Sequence, residues 1–297
     1  MKERVDVLLV QQGYFPTREK AKAAIMAGIV YSGTERIDKA GTKVDIAHEL
    51  HVKGNVHPYV GRGGLKLEKA IDTFQLHVED VIMIDIGAST GGFTDCALQK
   101  GARHVYAVDV GYGQLDWKLR NDERVTVLER TNFRYLQLEQ LSNGLPDFAT
   151  IDVSFISLQL IFPKLAEILV DGGQIVTLIK PQFEAGKESV GKKGIVRDKD
   201  VHKQVIYKVV EAAAGHKMKL CDITHSPITG GDGNIEFLAH FIYQPSVEDT
   251  ENAAQNDEAY SQNGRLIKPS GATFIQDEER FRQRIEEVVE TAHKSFS

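Results

Sequence analysis

Two lysines and two carboxylates stand out, three of them at an end of a short apolar run. Lys66 lies in Gly61-Arg62-Gly63-Gly64-Leu65-Lys66-Leu67 and Asp152 in Asp152-Val153-Ser154-Phe155. Lys180 lies in Lys180-Pro181-Gln182-Phe183-Glu184 and Glu236 in Gly233-Asn234-Ile235-Glu236-Phe237. Two lysines and two carboxylates suit the removal of a proton from a weakly acidic hydroxyl. A lysine acts as a base only when part of it is uncharged, which takes burial or a neighbouring cation. If the four converge, Lys66 supplies that cation to Lys180, and Asp152 with Glu236 orients the pair. The hydroxyl oxygen then attacks an electrophilic carbon in line, with positioning providing much of the rate. Singly, a charge at the end of an apolar strand is often no more than the strand reaching water.

A second constellation is the run Asp85-Ile86-Gly87-Ala88-Ser89-Thr90-Gly91-Gly92-Phe93-Thr94. Its glycines let the backbone turn tightly and approach a ligand, and a helix beginning there adds a favourable dipole. Asp109 follows at the end of the next apolar run, where a carboxylate can accept hydrogen bonds from both hydroxyls of a ribose. The loop is not the G-x-G-x-x-G of dinucleotide binding. Asp85 ahead of it suits a ligand carrying an amino acid and no phosphate, such as S-adenosylmethionine. Gly87-x-Ser89-x-Gly91 also fits a nucleophile elbow. That reading fails on context, because an elbow follows several earlier strands of its sheet and only a small helical unit precedes this one. No G-x-x-x-x-G-K loop is present, which argues against an NTPase.

The elements that must position these residues read as an α/β fold. Apolar runs at 81–86, 104–110, 125–129, 148–153 and 173–180 predict strands, with helical patterns at 92–100, 157–170 and 199–214 between them. Short continuous apolar strands separated by helices indicate a parallel sheet covered on both faces. Ligands of such sheets bind outside the carboxyl ends of the strands, the edge on which Asp152, Lys180 and the glycine loop fall. Two more strands, 218–225 and 235–243, joined by Gly230-Gly231-Asp232-Gly233, suit an antiparallel edge pair. Ahead of all this, residues 1–56 read as a small α+β unit. It has a helix over 4–12, a second over 17–27 capped by Thr17 and ended by Gly28, and extended segments near 29–31 and 44–46. Residues 57–60 read as a linker stiffened by Pro58. Residues 61–245 form the main domain, and 246–297 an acidic linker followed by an amphipathic helix carrying Phe274, Phe281, Ile285, Val288 and Val289.

Composition narrows the classes. The 297 residues are 42% hydrophobic and 26% charged, as in an ordinary globular protein, with a net charge of −6. That charge is uneven: residues 1–60 carry nine Lys/Arg against seven Asp/Glu, and residues 246–297 six against eleven. A basic footprint for nucleic acid would therefore be local and offset by the acidic tail. Two cysteines, Cys96 and Cys221, exclude a disulfide scaffold and a paired C-x-x-C zinc site, and fit a reducing cytoplasm. No apolar stretch approaches the ~18–20 residues that span a membrane, and the charged start Met1-Lys2-Glu3-Arg4 is unlike a signal peptide.

The glycine loop, Asp152-Val153-Ser154-Phe155-Ile156-Ser157 and Lys180-Pro181-Gln182-Phe183-Glu184 resemble motifs of the hemolysin-A-like (TlyA-type) ribosomal RNA methyltransferases, over residues 1 to about 245. The catalytic half is similar to FtsJ-like 2′-O-ribose methyltransferases. The resemblance implies a Rossmann-like, S-adenosylmethionine-dependent methyltransferase sheet with a Lys-Asp-Lys-Glu tetrad at Lys66, Asp152, Lys180 and Glu236, in which Lys180 assists removal of the 2′-hydroxyl proton. It implies that Asp85, Gly87 and Ser89, with Ala88, Gly91 and Phe93 in the same loop, lie near the methionine part of the cofactor, Asp109 near its ribose and Asn132 near its adenine. No metal is implied.

The first 56 residues resemble the RNA-binding domain named for ribosomal protein S-four, through Arg4-x-Asp6-x-x-Leu9, Thr17-Arg18-x-x-Ala21-x-x-x-Ile25-x-x-Gly28-x-Val30 and Gly33. Arg4, Arg18, Lys20, Lys22 and Arg62 are the expected RNA contacts. Arg18 and Lys22 are four apart, on one face of a helix, where basic side chains can hold phosphates without reading sequence. Tyr31-Ser32-Gly33 departs from the family's usual Val-Asn-Gly turn. The activity implied is cytidine 2′-O-methylation in ribosomal RNA of the small subunit, the large subunit or both. Lys187, Lys192, Lys193 and Arg197 form a candidate lid or RNA contact. Two other readings compete: a non-catalytic RNA- or ribosome-binding factor, and a membrane-active hemolysin, for which an acidic tail helix is a poor match to anionic lipid.

Overall fold

The computed structural model describes residues 2–26, 28–46, 49–53, 58–230, 233–245 and 278–296. The N-terminal elements are β1 (Lys2–Arg4), α1 (Val5–Gln11), α2 (Arg18–Met26), β2 (Val30–Ser32), β3 (Glu35–Arg36), β4 (Lys43–Asp45) and β5 (Leu50–Val52). Thr17 Oγ1 accepts the Lys20 amide at 3.3 Å, and Gly28 at φ +69° turns the chain out of α2. Val5, Leu8 and Leu9 of α1 bury against Ala21, Ala24 and Ile25 of α2 and against Val30 and Leu50. β1 pairs with β4, and β2 runs between β3 and β5, all antiparallel. The strands β1 and β3 escape the sequence pattern because their two or three polar residues make no apolar run, and β5 because Leu50-His51-Val52 is too short to stand out.

The main body begins with α3 (Gly63–Phe74), followed by β6 (Ile82–Ile86), α4 (Gly92–Gln99), β7 (His104–Val108), α5 (Trp117–Arg120) and β8 (Val125–Leu128). Then come β9 (Phe148–Ile151), α6 (Phe162–Ile168), β10 (Gln174–Ile179), α7 (Pro181–Glu184), α8 (Lys199–Ala214), β11 (Met218–His225), β12 (Phe237–Tyr243) and α9 (Glu278–Ser295). One sheet of seven strands has the order β11-β12-β10-β9-β6-β7-β8. Strands β10, β9, β6, β7 and β8 are parallel, and β12 is antiparallel to both β10 and β11. The strands β6 and β7 are buried along their whole length, as a sheet covered on both faces requires. One core packs α6, α8 and α9 on one face, and another packs α3 and α4 on the other.

One expectation shifts. The helix expected over 157–170 starts only at Phe162, with a single 3-10 turn at 158–160 before it. Pro163 lies in the first turn of α6, where no helical N–H is needed; in a helix running on from 157 it would sit in the interior, with no N–H to give and its ring against the carbonyl four residues back. The tail helix docks on the protein's own core: Ile285, Val288, Val289 and Ala292 are buried, and Arg284 Nε donates to Asp222 of β11 at 2.9 Å. The stretch 246–264, Phe274, the turn residues Gly231 and Asp232, and His57 of the expected linker lie outside the described residues.

Two buried histidines tie stability to pH. His202 of α8 meets His293 of α9 at 3.0 Å, and His240 of β12 meets Gln174 at 2.8 Å. Burial pushes each down to about 4. A base whose folded pKa is depressed stabilises the fold above its unfolded value and loses that contribution as pH falls through the folded one. Stability should therefore drop between about pH 6.5 and pH 4, by up to about 3 kcal/mol per histidine. Urea denaturation across that range measures it, and His202→Leu should show the smaller fall.

Candidate active site

Sheet register assembles most of the site. Ile179 of β10 pairs with Phe237 of β12, so Lys180 and Glu236 are the next residues out on neighbouring strands. Asp152 is the first residue beyond β9, which lies on the other side of β10. Lys66 comes from outside the sheet, on α3, where Leu67, Ala70 and Ile71 bury one face against the core. The fully buried face of α3 holds the helix so that the adjacent Lys66 reaches inward.

The four side chains meet. Lys66 Nζ donates to Glu236 Oε2 at 2.7 Å and lies 3.6 Å from Asp152 Oδ2. Lys180 Nζ lies 2.6 Å from Asp152 Oδ1 and donates to Ser154 Oγ at 2.9 Å. Burial opposes the charge on Lys66, but Asp152 and Glu236 together raise its pKa above that of an ordinary lysine. Burial likewise pushes Asp152 up, yet Lys66 and Lys180 bring it below the usual carboxylate. The two lysines therefore do not face each other bare: Asp152 lies between them. At neutral pH Lys66 stays an ammonium and Asp152 a carboxylate.

The glycine loop sits beside this cluster, at the end of β6, where β9 and β7 flank it on opposite sides. Gly87 has φ +89°, and a Cβ there would lie 2.4 Å from the carbonyl oxygen of Asp152. Ser89 is also left-handed, at φ 50°, which a non-glycine residue adopts only when its surroundings enforce it. Asp109 enforces it: its carboxylate accepts the amide of Ser89 at 2.8 Å and that of Gly111 at 2.6 Å. Each carboxylate oxygen keeps further acceptor capacity for a hydroxyl. Asn132 lies just beyond β8 and caps the turn that follows by accepting the Arg134 amide at 3.2 Å.

Asp85 is fully buried and accepts Thr94 Oγ1 at 2.7 Å, the Thr94 amide at 3.1 Å and Thr150 Oγ1 at 3.0 Å. Burial pushes it up to about 6. Ala88 is buried in the loop. Gly91, at φ +93°, leaves room for Leu115 and Leu119. Phe93 is buried with its ring against Gly63, so it packs the helix that carries Lys66.

The expected RNA contacts divide between two places. Arg4 and Arg18 share the buried carboxylate of Asp6, with Arg4 Nε at 2.9 Å and one Arg18 terminal nitrogen at 2.8 Å. The Arg4 hydrogen bond, aided by Arg18, holds that carboxyl well below the usual range. Lys20 and Lys22 are exposed on α2. Arg62 is half-buried just ahead of α3, close enough for its charge to oppose that of Lys66. Among the described residues of 187–197, Lys187, Lys193 and Arg197 are exposed.

Residues that sequence reasoning missed belong to the loops themselves. Ser154 holds Lys180, as given above. Phe155 is 91% exposed and left-handed at φ 63°, with its ring 4.8 Å from that of Phe183. A lone serine or phenylalanine in a turn carries no spacing signal, so neither stood out.

A sheet of this strand order, with its ligand loop beyond β6 and polar groups gathered at the same edge, is the architecture of Rossmann-like methyltransferases. Comparison of the sequence with known families agrees: the FtsJ-like methyltransferase family matches residues 59–243, and the S4 domain matches residues 3–50. The chain belongs to the FtsJ-like methyltransferases, in the TlyA-type, hemolysin A-like group. It is 63% identical over 239 residues to the "Putative rRNA methyltransferase YqxC" of Bacillus subtilis, spanning 80% of this chain and 85% of that one. It is 40% identical over 236 residues to the 16S/23S rRNA (cytidine-2'-O)-methyltransferase TlyA of Mycobacterium tuberculosis, spanning 79% and 88%. Among solved structures, a "Putative hemolysin" from Streptococcus thermophilus superposes with a TM-score of 0.71 at 52% identity, covering 99% of this chain and 97% of that one. Among the described residues no helix is long and apolar enough to cross a membrane.

The close approach at Gly87 gives a direct test. In Gly87→Ala the new methyl must displace the Asp152 carbonyl or strain its own backbone, so stability should fall by about 1–3 kcal/mol. Denaturant titration of the two proteins measures this.

Proposed function

We propose that this protein transfers a methyl group from S-adenosylmethionine to the 2′-hydroxyl of a cytidine in ribosomal RNA, of the small subunit, the large subunit or both. Residues 61–245 carry out the transfer and residues 1–56 hold the RNA, in the cytoplasm where ribosomal subunits are made. The observation that carries this reading is the Lys66–Glu236 and Lys180–Asp152 pairing beside the glycine loop. Relatives named as ribosomal RNA cytidine-2′-O-methyltransferases support the substrate class.

The loop residues fit the cofactor. Asp109 has carboxylate oxygens left for ribose hydroxyls, and the left-handed Gly87, having no side chain, lets the loop lie against the Asp152 carbonyl. Gly87, Ala88, Ser89 and Gly91 would line its methionine part and Asn132 its adenine, while Phe93 and the fully buried Asp85, bonded to Thr94 and Thr150, hold the loop from beneath and do not reach the cofactor. When bound, S-adenosylmethionine supplies an electrophilic methyl group. The chain's residues manage the proton. Lys66 is a poor base, because two carboxylates hold its ammonium. Lys180 faces one carboxylate and, in its uncharged form, takes the 2′-hydroxyl proton on Nζ as the ribose oxygen attacks. Asp152 then stabilises the new ammonium. Exposed Phe155 supplies an apolar face beside Lys180 on which a base drawn out of the RNA can stack.

Two outcomes test this reading. Lys180→Ala should abolish transfer of labelled methyl to isolated, unmodified 30S and 50S subunits while leaving the dissociation constant for S-adenosylhomocysteine within a few-fold of wild type. Loss of cofactor binding in step with activity would refute the assignment of Lys180. Separately, Arg18→Ala with Lys22→Ala should weaken RNA binding and lower its dependence on log salt by roughly 1–2 units, as read by a filter-binding series. An unchanged slope would mean that α2 does not touch phosphate.

A further inference from the structure

The segments 152–158 and 180–184 run side by side, joined at successive points. Asp152 and Ser154 meet Lys180, and the Phe155 ring meets that of Phe183. The last link is Glu184. Its Oε2 accepts Ser157 Oγ at 2.7 Å, and its Oε1 accepts the amide of Leu158 at 2.7 Å. Glu184 is buried and stands one helical turn after Lys180, at the far end of α7. Its own carbonyl accepts Lys208 Nζ of α8 at 3.4 Å. Burial raises its pKa, although the Leu158 amide and Ser157 favour the carboxylate.

The reactive end of this pair of segments needs such an anchor. The chain from Asp152 to Leu158 contains no strand, and it includes a left-handed phenylalanine that is almost wholly exposed. Lys180 is the residue before a single-turn helix that begins with proline. A helix of one turn has little stability of its own. A buried carboxylate with two short bonds from the neighbouring segment stops both pieces from sliding past each other.

We propose that Glu184 is a positioning residue for the methyl-transfer reaction. By clamping Ser157 and Leu158 it fixes the spacing between Asp152 and Lys180 and holds Phe155 in place. Glu184 touches none of the reacting atoms. This inference rests on the methyltransferase reading above, in which Lys180 is the base.

The test uses full-length Glu184→Ala, Glu184→Gln and Ser157→Ala, with rates expressed per S-adenosylhomocysteine binding site so that misfolded protein does not count. Glu184→Ala should lower kcat for methyl transfer to unmodified subunits by about 10–100-fold, the scale of a misplacement near 1 Å, while KM for the subunits and cofactor affinity stay within about threefold. Glu184→Gln keeps an acceptor for the Leu158 amide and should recover most of the rate. Ser157→Ala should lose less, and the pair Ser157→Ala with Glu184→Ala should lose no more than Glu184→Ala alone. A kcat for Glu184→Ala within twofold of wild type overturns the proposal, as does a loss that vanishes once rates are expressed per binding site. Hydrogen exchange at the Leu158 amide gives an answer without activity: it should speed at least tenfold in Glu184→Ala, and unchanged protection also overturns the clamp. If the wild type transfers no methyl group at all, the methyltransferase reading fails, and with it the role in positioning.

Discussion

The carboxylate of Asp152 is shared by two ammonium groups, and the site depends on that sharing. A buried lysine beside another buried lysine would shed its proton or push the pair apart. With Asp152 between them, and Glu236 on the far side of Lys66, charges alternate and both lysines can sit almost out of water. Removing Asp152 alone would leave two cations facing each other, whereas removing either lysine would leave a carboxylate short of a partner. The Asp152 main chain is equally engaged, since its carbonyl lies where a side chain at residue 87 would otherwise point. The acid–base cluster and the ligand loop are therefore held by the same short piece of backbone beyond β9.

That arrangement asks little of any single loop. β6, β9, β10 and β12 are hydrogen-bonded in sequence across the sheet, so the residues just beyond their ends fall within a few ångströms of one another. The remaining degrees of freedom are removed by carboxylates that accept backbone amides: buried Asp85 from Thr94, half-buried Asp109 from Ser89 and Gly111, and buried Glu184 from Leu158. The same device appears in the N-terminal unit, where Asp6 holds Arg4 and Arg18 by their guanidinium groups while about half of each side chain stays in solvent. A cation held in one orientation loses less freedom on meeting a phosphate than one that waves freely.

Much of the fold was legible because its signals are local. The β6 run Ile82-Met83-Ile84-Asp85-Ile86, the cap and stop of α2, and the whole span of α8 at 199–214 follow from a short continuous apolar run, a period of 3.6 and capping residues. The short strands β1, β3 and β5 were not legible, because they exist by pairing and not by composition. The start of α6 was set by Pro163, which outweighs the apolar periodicity ahead of it. The partner of the tail helix was open in the sequence. An amphipathic face says that something covers it, and only the packed structure shows the cover to be α8 and β11.

The sequence by itself determined which residues are available for chemistry. Asp152, Lys180, Glu236, the glycine loop and Asp109 were visible at the ends of apolar runs, because a charge is costly inside such a run, and Lys66 by the glycine-rich motif that carries it. Tertiary structure decided how they meet. Lys66 and Glu236 are separated by 170 positions, and their 2.7 Å contact depends on α3 packing across the sheet. The sequence reading had the lysines adjacent with the carboxylates outside, and the structure puts Asp152 in the middle. The link from Glu184 to Ser157 and Leu158 could not be read at all, since a glutamate in a turn looks solvated until the surrounding chain buries it. Local patterns follow from the geometry of one backbone segment, whereas charge order within a site follows from the register and packing of several.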